Sequence, residues 1–304
     1  MSVTAVLEST QEAPVRPAAP RSAAVWWAVP PVAIVLLAAV YPLIRVCLES
    51  VKGVGTQSSW LSVLSSEAFR DALWRTVAVA ATSTLGCLVL GTFLAIVLAF
   101  VPFPGSRLVG RLIDTVLALP SFLVTLAFTF LYGTVGAVNA AIAGITGDQA
   151  PVLDFLYTPA GVIAAEITFF TPFVVRPLLA SFSTLPRAQL DVAASLGASS
   201  LRVLRSVVMP EAWPALMAGG SLVLLLTLNE FGIVLFTGAK GVTTLPVLIY
   251  TRGIVSFDLP GAAVIATVQI ALSLALYTVY RVVFARVTTR RGGADTDVVV
   301  DQTK

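Results

Sequence analysis

The chain has 304 residues, of which 57% are apolar and 12% charged, and its mean hydropathy is +0.93. Soluble domains carry about 25% charged residues, and surface-to-volume scaling leaves one soluble core of this length too small to hide so much apolar surface, so the natural solvent is a bilayer. A net charge of +3 with dispersed basic residues leaves no footprint for nucleic acid, and the absence of histidine removes Ser-His-Asp and Cys-His catalysis and His-ligated metal sites.

A spanning helix needs about 20 apolar residues. Charge-poor runs of that length predict six helices, at about 25–48, 74–101, 112–134, 159–182, 214–237 and 259–285. The expected class is all-α, a polytopic membrane helix bundle. Residues 1–24 are polar, rich in Pro and Ala, and carry Glu8, Glu12, Arg16 and Arg21. They read as a disordered cytoplasmic tail. The apolar run that follows is too long for a signal-peptide core of roughly 7–15 residues, so it is expected to stay as the first span. Residues 25–285 form the expected membrane domain and 286–304 a second cytoplasmic tail. Cys47 and Cys87 fall inside apolar runs and are expected to pack as small apolar residues.

With the N-terminus in the cytoplasm, twelve of the 19 basic residues fall on inner segments, six on outer loops and one, Arg176, within a span. The bias favours both termini inside. The first inner connection contains Gly105-Ser-Arg-Leu-Val-Gly110. It has the glycine spacing of a phosphate loop without the Lys-Ser/Thr that would hold phosphate and magnesium, and no strand precedes it. It is expected to be a positively charged turn, and no cofactor is expected. In spans three and four, Pro120, Pro159, Pro172 and Pro177 are expected to bend the helices.

The second inner connection, 183–213, is long for a compact membrane protein. Pro186 can open a helix, Gly197 can end it in a left-handed conformation, Ser199 or Ser200 can cap a second helix, and Pro210 is expected to close that one. Leu190, Ala193, Ala194 and Gly197 follow i, i+3, i+4, i+7 spacing, and Leu201, Leu204 and Val208 continue in the same manner. The expected product is a short amphipathic helical hairpin on the inner face.

This segment resembles the loop of the permeases of binding-protein-dependent ATP-binding-cassette importers: Glu-Ala-Ala, three residues, Gly, nine residues, Ile, one residue, Leu-Pro. Asp191-Val192-Ala193 stands for the first triplet with conservative departures, Gly197 falls at the required spacing, Val207 stands for Ile, Met209 for Leu, and Pro210 matches. The resemblance covers roughly residues 70–285 and implies the MetI-like, type I importer permease fold, with span one as a peripheral extra helix. It also implies partners: a cytoplasmic ATPase dimer on separate chains, a second permease subunit, identical or related, and an extracytoplasmic substrate-binding protein. The loop would be the coupling element that docks on the ATPase. Its contacts would come from Leu190, Asp191, Ala193, Leu196, Gly197, Leu201, Arg202 and Leu204, with Pro210 at its end.

Charges within spans usually face the bundle interior. Glu166 and Arg176 are ten residues apart and cannot pair within one helix; Arg176 lies near the inner end, where it can snorkel. Asn229-Glu230-Phe231-Gly232 resembles the Gly-Glu-Phe-Gly segment of the sulfate, molybdate, ferric-iron, polyamine, thiamine and phosphonate permeases. Glu230 is expected either to hydrogen-bond between helices or, with Asn229 and Glu166, to line the translocation path or its outer gate. The stretch from Phe231 to Tyr250 also resembles permeases for 2-aminoethylphosphonate, which implies a small zwitterionic phosphonate as substrate; an inorganic oxyanion, ferric iron, thiamine or a polyamine are the alternatives. A stand-alone secondary transporter would show inverted repeats, and a membrane enzyme a cluster of catalytic groups; neither is evident. Ala215, Gly219 and Gly220 are small enough to let helices approach closely.

Overall fold

The computed structural model describes residues 22–52, 59–147 and 151–300; most of the expected N-terminal tail lies outside the described residues. The chain divides into two compact units, Met1–Leu48 and Glu49–Lys304. The first unit holds most of helix α1 (Ser22–Val51), which carries Pro30, Pro31 and Pro42 inside it. Most of its described side chains are exposed, Trp26, Trp27, Ile34 and Leu37 among them. A helix apolar on every face is matched to lipid.

The second unit contains α2 (Ser59–Leu64), α3 (Glu67–Phe100), α4 (Ser106–Leu117), α5 (Ser121–Tyr132), α6 (Ala137–Thr146), α7 (Pro159–Phe170), α8 (Pro172–Ser183), α9 (Arg187–Ser195), α10 (Ser200–Val203), α11 (Met209–Leu228), α12 (Gly232–Thr237), α13 (Leu245–Tyr250) and α14 (Leu259–Val300). Among the described residues there is no strand. Among the described residues, six helical stretches are long and apolar enough to cross a membrane: Trp26–Val51, Glu67–Phe100, Ser121–Thr146, Pro159–Ser183, Ser200–Leu228 and Leu259–Phe284.

Three of these depart from the sequence expectation. Span two starts at Glu67 instead of 74, because the helix runs on through charged residues that a charge-free ruler discards. Ser66 caps it, its hydroxyl accepting from the Phe69 N–H at 3.3 Å. Span three is not a single helix over 112–134. Pro120 keeps the chain extended (φ −62°, ψ 142°) and separates α4 from α5. With Arg107, Arg111 and Asp114 among apolar residues and no buried side chain, α4 is an amphipathic surface helix. Span five begins at Ser200 and ends at Leu228, where an expected continuous helix over 214–237 breaks at Asn229–Phe231 before α12.

The main core lies where α3, α7, α8 and α11 meet and includes Val79, Cys87, Ala95, Val162, Ala165, Val174, Leu178 and Val223. Lipid is as apolar as these side chains, so helix association depends on close packing and polar contacts more than on expulsion from solvent. Gly219 supplies such packing within the chain: a Cβ there would lie 3.0 Å from the Phe173 carbonyl oxygen and 3.2 Å from Val174 Cα. Cys87 is buried, as expected of a packing residue, whereas Cys47 is exposed.

A second core forms from Val63, Phe69, Ala72, Leu245, Leu248, Val264 and Ile265, joining α2, the start of α3, α13 and α14. The Thr76 hydroxyl accepts the Leu245 N–H at 2.8 Å and tethers α13 to α3. Buried Asn139 pins the segment after α6: it donates to the carbonyls of Gly133 (2.9 Å) and Leu153 (2.8 Å) and accepts from the Leu153 N–H (2.9 Å).

Candidate functional site

Two groups of chemistry-bearing residues stand out in the second unit. One is the helix pair of α9 and α10. Helix α9 ends in a Schellman motif: the Ala198 N–H reaches the Ala193 carbonyl at 3.1 Å, and the Gly197 N–H reaches Ala194 at 2.9 Å. This geometry needs a left-handed residue, and Gly197 has φ +79°. Ser199 occupies the capping position of α10 with extended backbone but makes no side-chain cap bond. The chain then passes through one widened, π-helical turn, Leu204–Val208, and continues directly into α11.

Pro210 was expected to stop the second helix, and it does not. The Met209 N–H bonds to the Leu204 carbonyl across the wide turn, and Pro210 takes a position in the first turn of α11. A π-bulge changes the hydrogen-bond register, which gives a residue without an N–H a place in the ladder. One uninterrupted helical stretch therefore runs from Ser200 to Leu228.

The apolar hairpin residues divide into two sets. Leu190 and Leu204, with Val203, are half-buried against the main core, and Ala193 is also half-buried. Leu196 and Leu201 are 82% and 55% exposed, beside Val192 at 58%. Asp191, Gly197, Arg202 and Arg205 are exposed as well, and Leu201, Arg202 and Arg205 line a surface cleft with Ser199 and Ser206. Val192 was not among the contact residues expected from the sequence. Its exposure follows from the helix register, which sets it on the face opposite Leu190.

The second group surrounds Glu230. This residue lies in the non-helical break after α11, not within a helix. Its Oε1 accepts the Ser121 hydroxyl at 3.0 Å and the Ile233 N–H at 2.8 Å, so it ties the start of α5 to the start of α12. Asn229 donates to the Leu225 carbonyl at 2.8 Å, and Gln269 of α14 donates to the Leu228 carbonyl at 2.7 Å, closing the break from the far side. Ser121 and Gln269 were not singled out in the sequence. Isolated polar residues in apolar runs carry no periodic signal, although Gln269 stands alone as an amide in its span.

Glu166 is fully buried in α7, and neither carboxylate oxygen has a hydrogen-bond partner. It neighbours Ser83 of α3 and is within electrostatic reach of Glu230. Arg176 pairs with Asp114 of α4 and donates to the Gly110 carbonyl at 3.1 Å. It thus anchors the amphipathic surface helix to span four. Asp114 was not foreseen as its partner, because the two lie in different predicted spans.

Among the described residues, six apolar helical stretches and an exposed glycine-turned hairpin between the fourth and fifth match the architecture that the sequence resemblance implies. Residues 88–289 match the family described as "Binding-protein-dependent transport system inner membrane component", and the chain belongs to that family. It is 46% identical over 267 residues to PhnU of Salmonella paratyphi A, a permease named for 2-aminoethylphosphonate transport, covering 87% of this chain and 92% of that protein. It is also 33% identical over 193 residues to the sulfate transport system permease CysT of Salmonella typhimurium, covering 62% of this chain and 66% of that one. In structure it resembles a bacterial transporter that imports alginate (TM-score 0.76, 18% identity, 87% of this chain and 96% of that chain). It also resembles the methionine transporter MetNI in an inward-facing conformation (TM-score 0.51, 18% identity, 74% and 98%). Both likenesses bear on the fold alone. The chain is a multi-pass membrane permease of an importer with the MetI-like fold.

Proposed function

We propose that this chain forms one half of the pore of an ATP-driven importer for 2-aminoethylphosphonate. Two permease subunits face one another, an extracytoplasmic binding protein delivers the solute, and a separate cytoplasmic ATPase dimer supplies the work. Both termini face the cytoplasm, in line with the basic bias of the inner segments.

The observation that carries the coupling role is the hairpin over 187–208. Exposed Val192, Leu196 and Leu201 form an apolar knob on a surface rich in arginine, while Leu190 and Leu204 fasten its underside to the core. An apolar knob rimmed by Arg187, Arg202 and Arg205 fits an apolar cleft with an acidic edge. Because α10 continues into α11 without a break, a displacement of the knob is carried along span five toward Glu230. ATP-driven closure of the two ATPase clefts would draw two such helical stretches together at the inner side and open the path outward.

The relatives named for 2-aminoethylphosphonate support the substrate. The test is uptake of labelled 2-aminoethylphosphonate into proteoliposomes holding the permease, its ATPase and its binding protein. ATP-dependent accumulation is expected, with no accumulation of sulfate or thiamine. Accumulation driven by an ion gradient without ATP would overturn the importer mechanism.

A further inference from the structure

Two interruptions of regular helix meet at one cavity of about 450 Å³, the Pro120 break before α5 and the Asn229–Phe231 break after α11, and the α7–α8 stretch supplies its phenylalanines. Irregular backbone at membrane depth is tolerated where it lines a cavity or is buried in protein. The lining combines one carboxylate, Glu230, with three phenylalanines, Phe169, Phe170 and Phe173, and the polar Ser121 and Asn229. Phe169 and Phe170 meet edge to face with centroids 4.9 Å apart, and Phe173 lies 6.2 Å from Phe170.

The charge balance of this cavity is one-sided. Among the described residues, no lysine or arginine lines it. Arg176 in the same span is engaged by Asp114 and the Gly110 carbonyl on α4. A second carboxyl, Glu166 of α7, is fully buried beside Ser83. Both hydrogen bonds to Glu230 go to Oε1, one from a hydroxyl and one from a backbone N–H, so neither neutralises its charge. A phosphonate dianion finds no basic group here. An ammonium group finds a carboxylate for a charge-assisted hydrogen bond and aromatic rings, whose faces attract cations.

We propose that Glu230 and the Phe169–Phe170–Phe173 cluster form a subsite for the ammonium end of the transported solute. The subsite extends the 2-aminoethylphosphonate assignment and rests on it for the identity of the solute, though not for the class of ligand.

The test uses the purified permease–ATPase complex in nanodiscs, without binding protein. Saturation-transfer NMR reports binding of 2-aminoethylphosphonate, with ethylammonium and ethylphosphonate as competitors. Ethylammonium is expected to displace the signal and ethylphosphonate to do so at least tenfold less well. Glu230→Gln keeps an oxygen to accept from Ser121 and Ile233 but loses the charge, and should weaken binding roughly 10- to 100-fold. Phe169→Leu and Phe173→Leu should each weaken it about two- to fivefold. Better competition by ethylphosphonate, undiminished binding by Glu230→Gln, or no binding at millimolar solute by a complex that imports it would each overturn the subsite. If Glu230→Gln fails to assemble, competition on the unaltered complex still decides. A complex that imports sulfate or thiamine and not 2-aminoethylphosphonate contradicts the solute assignment alone; direct binding of ethylammonium, lost on Glu230→Gln, then still supports the subsite, and its absence overturns it.

Discussion

Replacing Gly197 separates backbone geometry from side-chain contact. At φ +79° a Cβ on this residue would meet nothing within 4 Å. The cost lies in the left-handed backbone, about 1–2 kcal/mol for an ordinary L-residue, less for Asn and more for a β-branched one. A residue that refuses positive φ loses the Ala198-to-Ala193 and Gly197-to-Ala194 bonds and re-aims α9 relative to α10. One or two kcal/mol changes a population by a factor of roughly 5–30. Gly197→Val is therefore expected to lower uptake at least fivefold at unchanged membrane abundance, and Gly197→Asn to keep most of it. Uptake of labelled solute by cells, normalised to permease level by immunoblot, reads the difference. Wild-type uptake by Gly197→Val would refute the geometric account. Equal loss in both variants would shift the cause from the turn to the surface the side chain covers.

Other substitutions address the fold and the interior carboxyl. Asn139→Ala removes three hydrogen bonds and leaves the Leu153 N–H without its partner, which should destabilise the solubilised complex by about 1–3 kcal/mol in a thermal unfolding assay. Gly219→Val drives side-chain atoms against the backbone of Phe173 and Val174 and should cost about 1–3 kcal/mol by the same assay. Glu166→Gln exchanges one fully buried polar side chain for another of the same shape, so thermal stability should hold; a marked loss would indicate a stabilising role for the acid. Asp114→Asn alters an ion pair whose side chains are 48% and 40% exposed, so its effect on stability should stay within about 1 kcal/mol.

Much of the architecture was legible because lipid imposes a simple rule: long apolar runs become helices. Spans one, four and six fall near their predicted limits for that reason. The rule misplaces helix ends that leave the apolar zone, as at Glu67, where charge ends the run but not the helix. It also overlooks interruptions inside apolar runs. Pro120 predicts a bend, yet the residues before it form a separate surface helix, since Arg107, Arg111 and Asp114 favour the interface over the interior. Pro210 signals a helix end by its missing N–H, but the wide Leu204–Val208 turn absorbs it. That exception produces the uninterrupted helical stretch from Ser200 to Leu228, which no spacing in the sequence discloses.

The hairpin itself was readable, because Gly197 and the flanking periodicity have one simple structural solution. Which of its apolar residues face outward was not. Leu190 and Leu196 look equivalent in sequence, and only the packing of α9 on the main core separates them. Glu230 was readable as a candidate from its charge. Its partners Ser121 and Ile233 lie 109 and 3 residues away, and the first of these needs the tertiary fold.

The most direct measurement of the coupling mechanism is site-specific crosslinking of the hairpin. In a background carrying Cys47→Ser and Cys87→Ala, single cysteines at Leu196 and Leu201 are placed on the exposed knob. Disulfide or short-linker crosslinks to the ATPase subunit, changing in yield with ATP, are the predicted result. Labelling of the same cysteines in intact cells by a membrane-impermeant reagent, or failure of both to crosslink in a complex that still transports, would contradict it.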